Sequence, residues 1–564
     1  MNGSANNSMP PASVSSDRRR SRRPAAAPRD EREFEQWDFA HLSRVAEPLY
    51  RTVSRVAGGY AIGGTGYLMF SRPAQAMTFA LISVTGWLCL EFWLRAGRRG
   101  VPAFAALVSS LVLLNSLPLL THNAALQGLS DATMRVAGLT VAFFLVMLCG
   151  GWWLGAQSVP GRPSKWNLLP AGASFAGDSG LKLSLPLLGL AVLFKMSVVS
   201  GLLFRLLPEN LTGLFSALQA FSGAATLLGA FLGGLAVARL PLLGGALIFW
   251  TLFALDFLLD TSSVLLSAAS GLVIACGAGL GLRRRRIPWA FLIVLLLVVG
   301  FLNQGKFVMR ERYWNPESGE QRMSLSGLPS FFAEWADVSL AMFKNNWQAD
   351  PSEPQDNPDA GQPLIERLDN FRNLTFIVDK FATAKVEPLY GRTYMVIPAL
   401  LIPRVFWPDK PRTHEGQIML NLHFGRQASE EETVKTYIAW GLLPEAVGNF
   451  GCAGGGLFLG LVAGFLCGGL ESWSARKRLL SVEGLVAAAL LVQLAVSYEM
   501  VASVLITAMF QMLVAVVTFG ILLHLCLKDS SPVRPRRRGR KTKLETGKTE
   551  ISKGDNLNAE KLKS

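Results

Sequence analysis

The stretch IPWAFLIVLLLVVGFLN, residues 287–303, carries no charge and directly follows the run RRRR at residues 283–286. An apolar segment of this length is close to what an α-helix needs to cross a bilayer. A helix is required there because lipid satisfies none of the backbone N–H and C=O groups. The arginines predict that this helix starts on the cytoplasmic side, where short loops are enriched in Lys and Arg.

Similar apolar stretches recur along the chain, which is 50% hydrophobic and only 17% charged. Soluble domains carry about 25% charged residues. The pattern predicts an all-α polytopic membrane protein with about twelve transmembrane helices and one large periplasmic loop containing amphipathic helices. The predicted spans are 53–71, 76–95, 101–121, 135–157, 184–206, 212–237, 240–259, 262–282, 287–303, 446–470, 480–499 and 501–527.

These spans divide the chain into five parts. Twelve spans place both tails and every basic cluster beside a short connection in the cytoplasm, in agreement with the positive-inside rule. The glycines of the first span make it less apolar than the others, but without this span the basic clusters no longer agree with the positive-inside rule. The parts are a basic, largely disordered tail (1–50), nine helices (51–303), the large loop (304–438), three helices (439–527) and a second basic, disordered tail (528–564).

The formal net charge of +15 comes from the tails and the short connections, because residues 304–438 hold 15 basic against 18 acidic residues. Basic tails beside membrane spans set topology or contact anionic lipid. We therefore expect membrane lipids as partners and no nucleic acid. The six cysteines have no CxxC spacing and the five histidines are scattered, so we expect no metal and no cofactor.

One charge lies inside a predicted span. Lys195 falls near the middle of the span 184–206, and an ionisable residue at that depth is a functional candidate by default. Glu91 and Asp256 are its possible partners. Structural pairing and a functional role are both open on the sequence alone.

The large loop contains two segments with helical periodicity, separated by a flexible connection at residues 351–363. The two predicted helices either pack together or lie on the membrane surface, and simple covering structure is the alternative. The periodic residues are Phe331, Trp335, Val338 and Met342 in the first, and Leu364, Leu368, Phe371, Val378 and Phe381 in the second.

A short apolar stretch followed by a proline-rich basic turn comes next, and residues 394–407 are predicted to form a re-entrant or interfacial segment. A rigid basic turn at the bilayer surface suits an anionic headgroup, since Arg binds phosphate through paired hydrogen bonds. The alternative is an anchor that contacts ordinary phospholipid. The charged residues here are Arg392, Arg404, Lys410 and Arg412 against Asp409.

The next span opens with the sequence PEAVGNFG, residues 444–451. Glu445 is predicted at the mouth of this span, where a partly desolvated carboxylate suits a general base. The alternative is a first-turn residue that complements the helix dipole. The glycines at 451 and 454–456 favour close helix packing.

Five short motifs follow one another in an order that resembles the O-antigen polymerase, or oligosaccharide repeat-unit polymerase, family. They are GRTY (391–394), IPR (402–404), WPDKP (407–411), PE (444–445) and NFG (449–451). The resemblance covers roughly residues 364–460. It implies a bacterial inner-membrane glycosyltransferase that joins undecaprenyl-pyrophosphate-linked glycan units at the periplasmic face. The growing chain is the donor and a new lipid-linked unit the acceptor, a chain-length regulator is a possible partner, and no metal or nucleotide sugar is implied.

On this basis we predict a site in which cations hold the donor pyrophosphate and a base takes the proton of the acceptor hydroxyl. The acidic triplet at 430–432 departs from the small residues usual for the family before the glutamate. The predicted substrate-binding residues are Arg392, Arg404, Lys410, Arg412 and Asn449, and the candidate catalytic residues are Glu445, His414 and Asp409.

Three other functions fit the same sequence. An O-antigen ligase-type transferase shares the many spans and the large loop. A transporter or flippase for the lipid-linked glycan predicts charged residues along a path through the spans, for which the sequence offers mainly Lys195. A scaffold would recruit partners through its basic tails.

Overall fold

The computed structural model describes residues 37–529 except 98, 122, 124–125, 127, 169–177, 207–212, 239, 241–243, 265, 315–323, 349–368, 405, 436–438 and 498. This part of the chain is helical. Its strand-like pairings are isolated bridges between Asp38 and Arg478 and between Asn167 and Ser481. The predicted connection at 351–363, together with Leu364 and Leu368, lies outside the described residues, as do most of both tails.

The helices follow one another in this order: α1 Phe39–Val45, α2 Glu47–Ser71, α3 Pro73–Arg95, α4 Ala103–Leu120, α5 Asp131–Ser158, α6 Asp178–Val199, α7 Leu202–Leu206, α8 Gly213–Val237, α9 Gly245–Ser262, α10 Leu266–Arg284, α11 Trp289–Trp314, α12 Leu328–Gln348, α13 Phe371–Thr383, α14 Arg392–Met395, α15 Ile397–Leu401, α16 Glu415–His423, α17 Glu430–Lys435, α18 Leu442–Ser474, α19 Val482–Ser497 and α20 Ala502–Asp529.

By length and composition, nine helices of the described part can cross a membrane: α3, α4, α5, α6, α8, α9, α11, α18 and α20. The chain is therefore a multi-pass membrane protein built from α-helices. The other three predicted spans coincide with α2, α10 and α19. The first two do not qualify as candidate spans, and α19 is a shorter apolar helix. Twelve spans thus stay a prediction.

Helices α5 and α18 approach each other closely along a stripe of glycines spaced four residues apart. Gly460, Gly464 and Gly468 of α18 face backbone atoms of α5, and Gly155 of α5 faces the carbonyl of Phe465. A Cβ at any of these glycines would overlap the neighbouring helix. Small residues at this spacing are what allow membrane helices to approach closely.

One end of the bundle collects the basic connections that the sequence assigns to the cytoplasm. The backbone N–H groups of Phe39 and Ala40 donate to the carbonyls of Lys477 and Ala475. Arg285 lies over the ring of Trp37, 4.7 Å from its centroid. Segments far apart in sequence therefore meet at a single end of the bundle, and the side of the membrane that this end faces stays a prediction.

The two helices of the large loop have different partners. The apolar residues of α12 pack on α11, where Phe331 and Trp335 are buried. Those of α13 pack on α5 and α18, where Phe371 and Val378 are buried. The helices are covering structure for two separate parts of the bundle. In the segment 394–407, the described residues, which exclude 405, form the end of α14, α15 and a non-helical turn.

Candidate functional site

The site is organised by a break in α18. Gly451 has φ 74° and ψ 174°, so Leu442–Ser474 is two helical segments joined at an angle. The break removes the helical partners of the carbonyls just before it. Gly448 O instead accepts from Leu389 N at 2.9 Å, and Asn449 O from Tyr390 N at 2.8 Å. The loop is thereby joined to the membrane helix through backbone hydrogen bonds.

Next to these backbone bonds, three buried polar side chains are joined to one another by hydrogen bonds. Asn449 Nδ2 donates to Thr393 Oγ1 at 2.8 Å, and this hydroxyl donates to Glu445 Oε1 at 2.7 Å. The other carboxylate oxygen, Oε2, accepts from Ala502 N at 2.5 Å. Thr393, Glu445 and Asn449 are fully buried. The carboxylate thus connects the loop, the first segment of α18 and the first residue of α20.

Two polar atoms beside this chain have no partner. Asn449 Oδ1 and the hydroxyl of Tyr394 are both buried without a hydrogen bond. The amide orientation of Asn449 is fixed because Nδ2 also donates to Glu445 O at 2.8 Å. Tyr394 stacks on Phe450 with ring centroids 5.9 Å apart, and burial, together with the negative charge of Glu445, raises the pKa of its phenol. The site therefore presents one unused acceptor and one unused donor.

In the proline-rich basic turn, the side chains of Arg404 and Lys410 donate hydrogen bonds to nearby backbone carbonyls and so fix the shape of the turn. Arg404 donates to Pro408 O at 2.8 Å and to Pro411 O at 3.4 Å. Lys410 donates to Leu400 O at 2.7 Å and to Ile402 O at 2.5 Å. Burial, and secondarily the charge of Arg404, lowers the pKa of Lys410. Each cation keeps further N–H groups, because Arg has five and Lys three.

The remaining predicted residues occupy more exposed positions. Arg412 pairs with Glu430 at 3.0 Å, so the unusual acidic triplet supplies a partner to the basic turn. Arg392 and Asp409 are exposed. His414 Nδ1 lies 3.2 Å from Gln417 Oε1, and burial lowers the pKa of its imidazole. A neutral imidazole at pH 7 is able to accept a proton.

The structure therefore brings Glu445 and Asn449 together and leaves the cations apart from them. Within the described residues, no hydrogen bond or ion pair joins Arg404, Lys410 or Arg412 to Glu445. The two groups are linked through the chain: α14 packs against α18, α16 and α20, and α15 packs against α20. Thr393 and Tyr394 stood in the quoted GRTY motif, but nothing in the sequence indicated their pairing with residues 445–449.

A second buried polar cluster lies beneath α13. Asn373 Nδ2 donates to Ala439 O at 2.7 Å, and its Oδ1 accepts from Arg426 at 2.5 Å. Arg426 also lies over the rings of Phe376 and Trp440. Asn373 heads an Asn-Leu-Thr sequon, but its buried, bonded amide has the role of fixing the loop.

In the described part of the chain, no group of three or more His, Cys, Asp or Glu side chains is placed to hold a metal ion. The expectation that none is needed stays a prediction. No family model, curated protein or solved structure matches the chain.

Proposed function

We propose that the protein is a membrane glycosyltransferase that polymerises undecaprenyl-pyrophosphate-linked oligosaccharide repeat units at the periplasmic face of a bacterial inner membrane. The observation that carries the proposal is the unused pair at the buried site, Asn449 Oδ1 and the Tyr394 hydroxyl. An unpaired buried polar atom destabilises a protein by about 1–3 kcal/mol. Sugar hydroxyls both donate and accept hydrogen bonds, so a bound sugar would supply partners of the kind that both atoms need.

The surroundings suit the lipid-linked half of such a substrate. Met395 and Phe406 are 76% and 79% exposed, and Trp407 is exposed next to them in sequence. Aromatic residues of this kind favour the boundary between lipid and water. The exposed guanidinium of Arg392 and the unused N–H groups of Arg404 and Lys410 would bind pyrophosphate oxygens.

The reaction forms one bond and breaks one. The acceptor hydroxyl oxygen attacks the anomeric carbon of the donor, and the bond from that carbon to the pyrophosphate oxygen breaks. The undecaprenyl pyrophosphate leaves with the electron pair, and the cations of the turn neutralise its charge. The hydroxyl proton passes to a base.

Glu445 is the base we propose, with His414 and Asp409 as alternatives. In the structure both oxygens of Glu445 accept hydrogen bonds, from Thr393 and from Ala502 N. The Thr393 hydroxyl would therefore have to rotate away as the acceptor hydroxyl enters. His414 is an alternative because burial lowers the pKa of its imidazole, which is therefore neutral at pH 7 and able to accept a proton.

The test is complementation of a strain that lacks its repeat-unit polymerase. We expect Arg404→Ala and Glu445→Gln to abolish long glycan chains while the amount of membrane protein stays normal. Glu445→Gln keeps the shape of the side chain, so a thermal-unfolding measurement separates lost chemistry from lost structure. Arg135→Ala, at an exposed cation of α5, is the matched control and keeps the ladder. Glycan ladders of wild-type length from the Arg404→Ala variant would show that Arg404 does not bind the pyrophosphate.

One observation favours a second candidate, a transporter or flippase for the same glycan. Lys195 is in contact with two aspartates inside the bundle, one of them completely buried, and transporters place such groups on their pathways. Transport by the purified protein in vesicles, without bond formation, would support this candidate. Accumulation of long lipid-linked chains in a deletion strain would instead indicate a ligase-type transferase.

A further inference from the structure

A cluster of charged residues lies among α6, α8 and α9, away from the candidate site. Lys195 Nζ of α6 is 2.6 Å from both Asp256 Oδ1 and Asp260 Oδ1 of α9, and 3.0 Å from Thr226 Oγ1 of α8. The aspartates are four residues apart, so they lie on one face of α9. The sequence suggested Asp256 or Glu91 as the partner; Glu91 instead accepts from Ser54 and pairs with Arg95.

The hydrogen bonds of this cluster leave one carboxylate oxygen without a partner. An ammonium group has three N–H donors, and those of Lys195 are occupied by Asp256, Asp260 and Thr226. Asp256 Oδ2 is buried and has no partner. The side chain of Asp256 is 0% exposed, whereas those of Lys195 and Asp260 are 15% and 10% exposed.

The charges of the cluster do not balance. Two carboxylates against one ammonium leave one net negative charge inside a segment that spans the membrane, where such a charge is strongly unfavourable. Apart from Lys195, the charged residues of α6 and α10 lie near the ends of those helices, whereas α11, whose Phe291 contacts Trp250 and Phe253 of α9, carries Lys306, Arg310, Glu311 and Arg312 in its second half. Asp178 and Lys182 are in the first turns of α6, Lys182 roughly 20 Å along the helix from Lys195, and Arg283 and Arg284 end α10. Helix α8 carries no charged residue.

We infer that Lys195, Asp256 and Asp260 form a binding site for one proton, which the two carboxyl groups share. The proton forms an O–H bond with a carboxylate oxygen, and the unpartnered Asp256 Oδ2 is the position that the structure leaves for it. It exchanges with water through Asp260, the more exposed of the two aspartates and part of the last turn of α9. Binding makes the cluster electrically neutral. The inference is independent of glycan polymerisation.

The proton is measurable by infrared difference spectroscopy on the full-length protein in lipid nanodiscs. A protonated carboxyl buried in the membrane has its own C=O stretching band, which disappears when the sample is brought to alkaline pH. We expect this band in the wild-type protein at neutral pH. Asp256→Asn and Asp260→Asn each leave one carboxylate for one ammonium, so the cluster is neutral without a proton and both variants lose the part of the band that this cluster contributes, whereas buried carboxyls elsewhere, such as Glu445, are unaffected.

Asp131→Asn changes an exposed carboxylate of α5 and keeps the band. Lys195→Met removes the only positive charge, so both carboxyls hold protons and the band increases. Size-exclusion profiles identify any variant that has failed to fold, and the increase in Lys195→Met does not depend on the two Asn variants. An unchanged band in folded Asp256→Asn and Asp260→Asn protein, or no band in the wild type, would overturn the inference.

Discussion

At the scale of single residues, Thr393 links the two polar residues of α18 in the candidate site. Its hydroxyl donates to Glu445 and accepts from Asn449. Thr393→Val keeps the shape and leaves two buried groups without this partner, which destabilises the site by about 1–3 kcal/mol for each group. We expect loss of long glycan chains in the complementation assay and a lower unfolding temperature.

Thr393→Ser keeps the hydroxyl and restores both properties. Full-length ladders from Thr393→Val would show that this hydrogen-bond chain has no part in the reaction.

The surroundings of Asp369 predict that the stability of the protein depends on pH. It accepts from Asn123 Nδ2 and from Arg372 N, and burial raises its pKa to about 6. The unfolded value is about 3.9, so the folded protein binds the proton more tightly. The stability from this group is fully present below about pH 4 and is lost as the pH rises through about 6.

We expect Asp369→Asn to remove this part of the pH dependence of thermal unfolding in detergent. Glu387→Gln changes an exposed carboxyl and is the control. An identical pH profile for Asp369→Asn and the wild type would contradict the assignment.

At the scale of elements, the α5–α18 contact depends on glycine. A methyl group at Gly464 would overlap the backbone of α5 at Leu148, and forced overpacking destabilises a core by about 1–3 kcal/mol. We therefore expect Gly464→Ala to lower the unfolding temperature. Gly59→Ala in α2, where nothing lies within 4 Å, is the matched control; it should be neutral or stabilise α2 by about 0.5–1 kcal/mol. Equal unfolding temperatures for both variants would refute the role of the glycine stripe.

The positions of the helices follow from the sequence because apolar length is a local property. Every predicted span overlaps a helix, although only nine of these helices qualify by length and composition. The predicted span 184–206 was wrong in its second half: the structure divides it into α6 and α7, so Lys195 lies four residues from the end of α6 and not near the middle of a span. The break at Gly451 was not predicted, because a glycine inside a predicted span also fits close packing. The carbonyls that this break frees bind the N–H groups of Leu389 and Tyr390, which are distant in sequence.

The candidate site was predictable only in part for the same reason. Glu445 and Asn449 are one helical turn apart, so their shared face could be read from spacing. The contacts of Thr393 with both residues span about fifty positions and have no local signature. Asp260 was missed beside Lys195 even though it lies four residues after Asp256, a spacing that places both on the same face.

At the scale of the whole molecule, the prediction is that the loop and the tails lie on opposite sides of the membrane. We expect a membrane-impermeant thiol reagent added to intact cells to label a cysteine introduced at Ala382, an exposed residue near the end of α13. The natural Cys526 is exposed near the end of α20 and should react only after permeabilisation. Labelling of Cys526 in intact cells would reverse the orientation.

The backbone hydrogen bonds that join Leu389 and Tyr390 to the broken end of α18 also affect how this protein is studied. Neither bond uses a side chain, so alanine scanning cannot test the bonds themselves: at Leu389, which is 5% exposed, it would report the lost packing of the side chain instead. A proline at position 389 has no N–H and would detach the loop without altering any catalytic candidate. Natural variation at 389–390 is thus a poor guide to the importance of these two hydrogen bonds, because every residue type except proline has the main-chain N–H that they use.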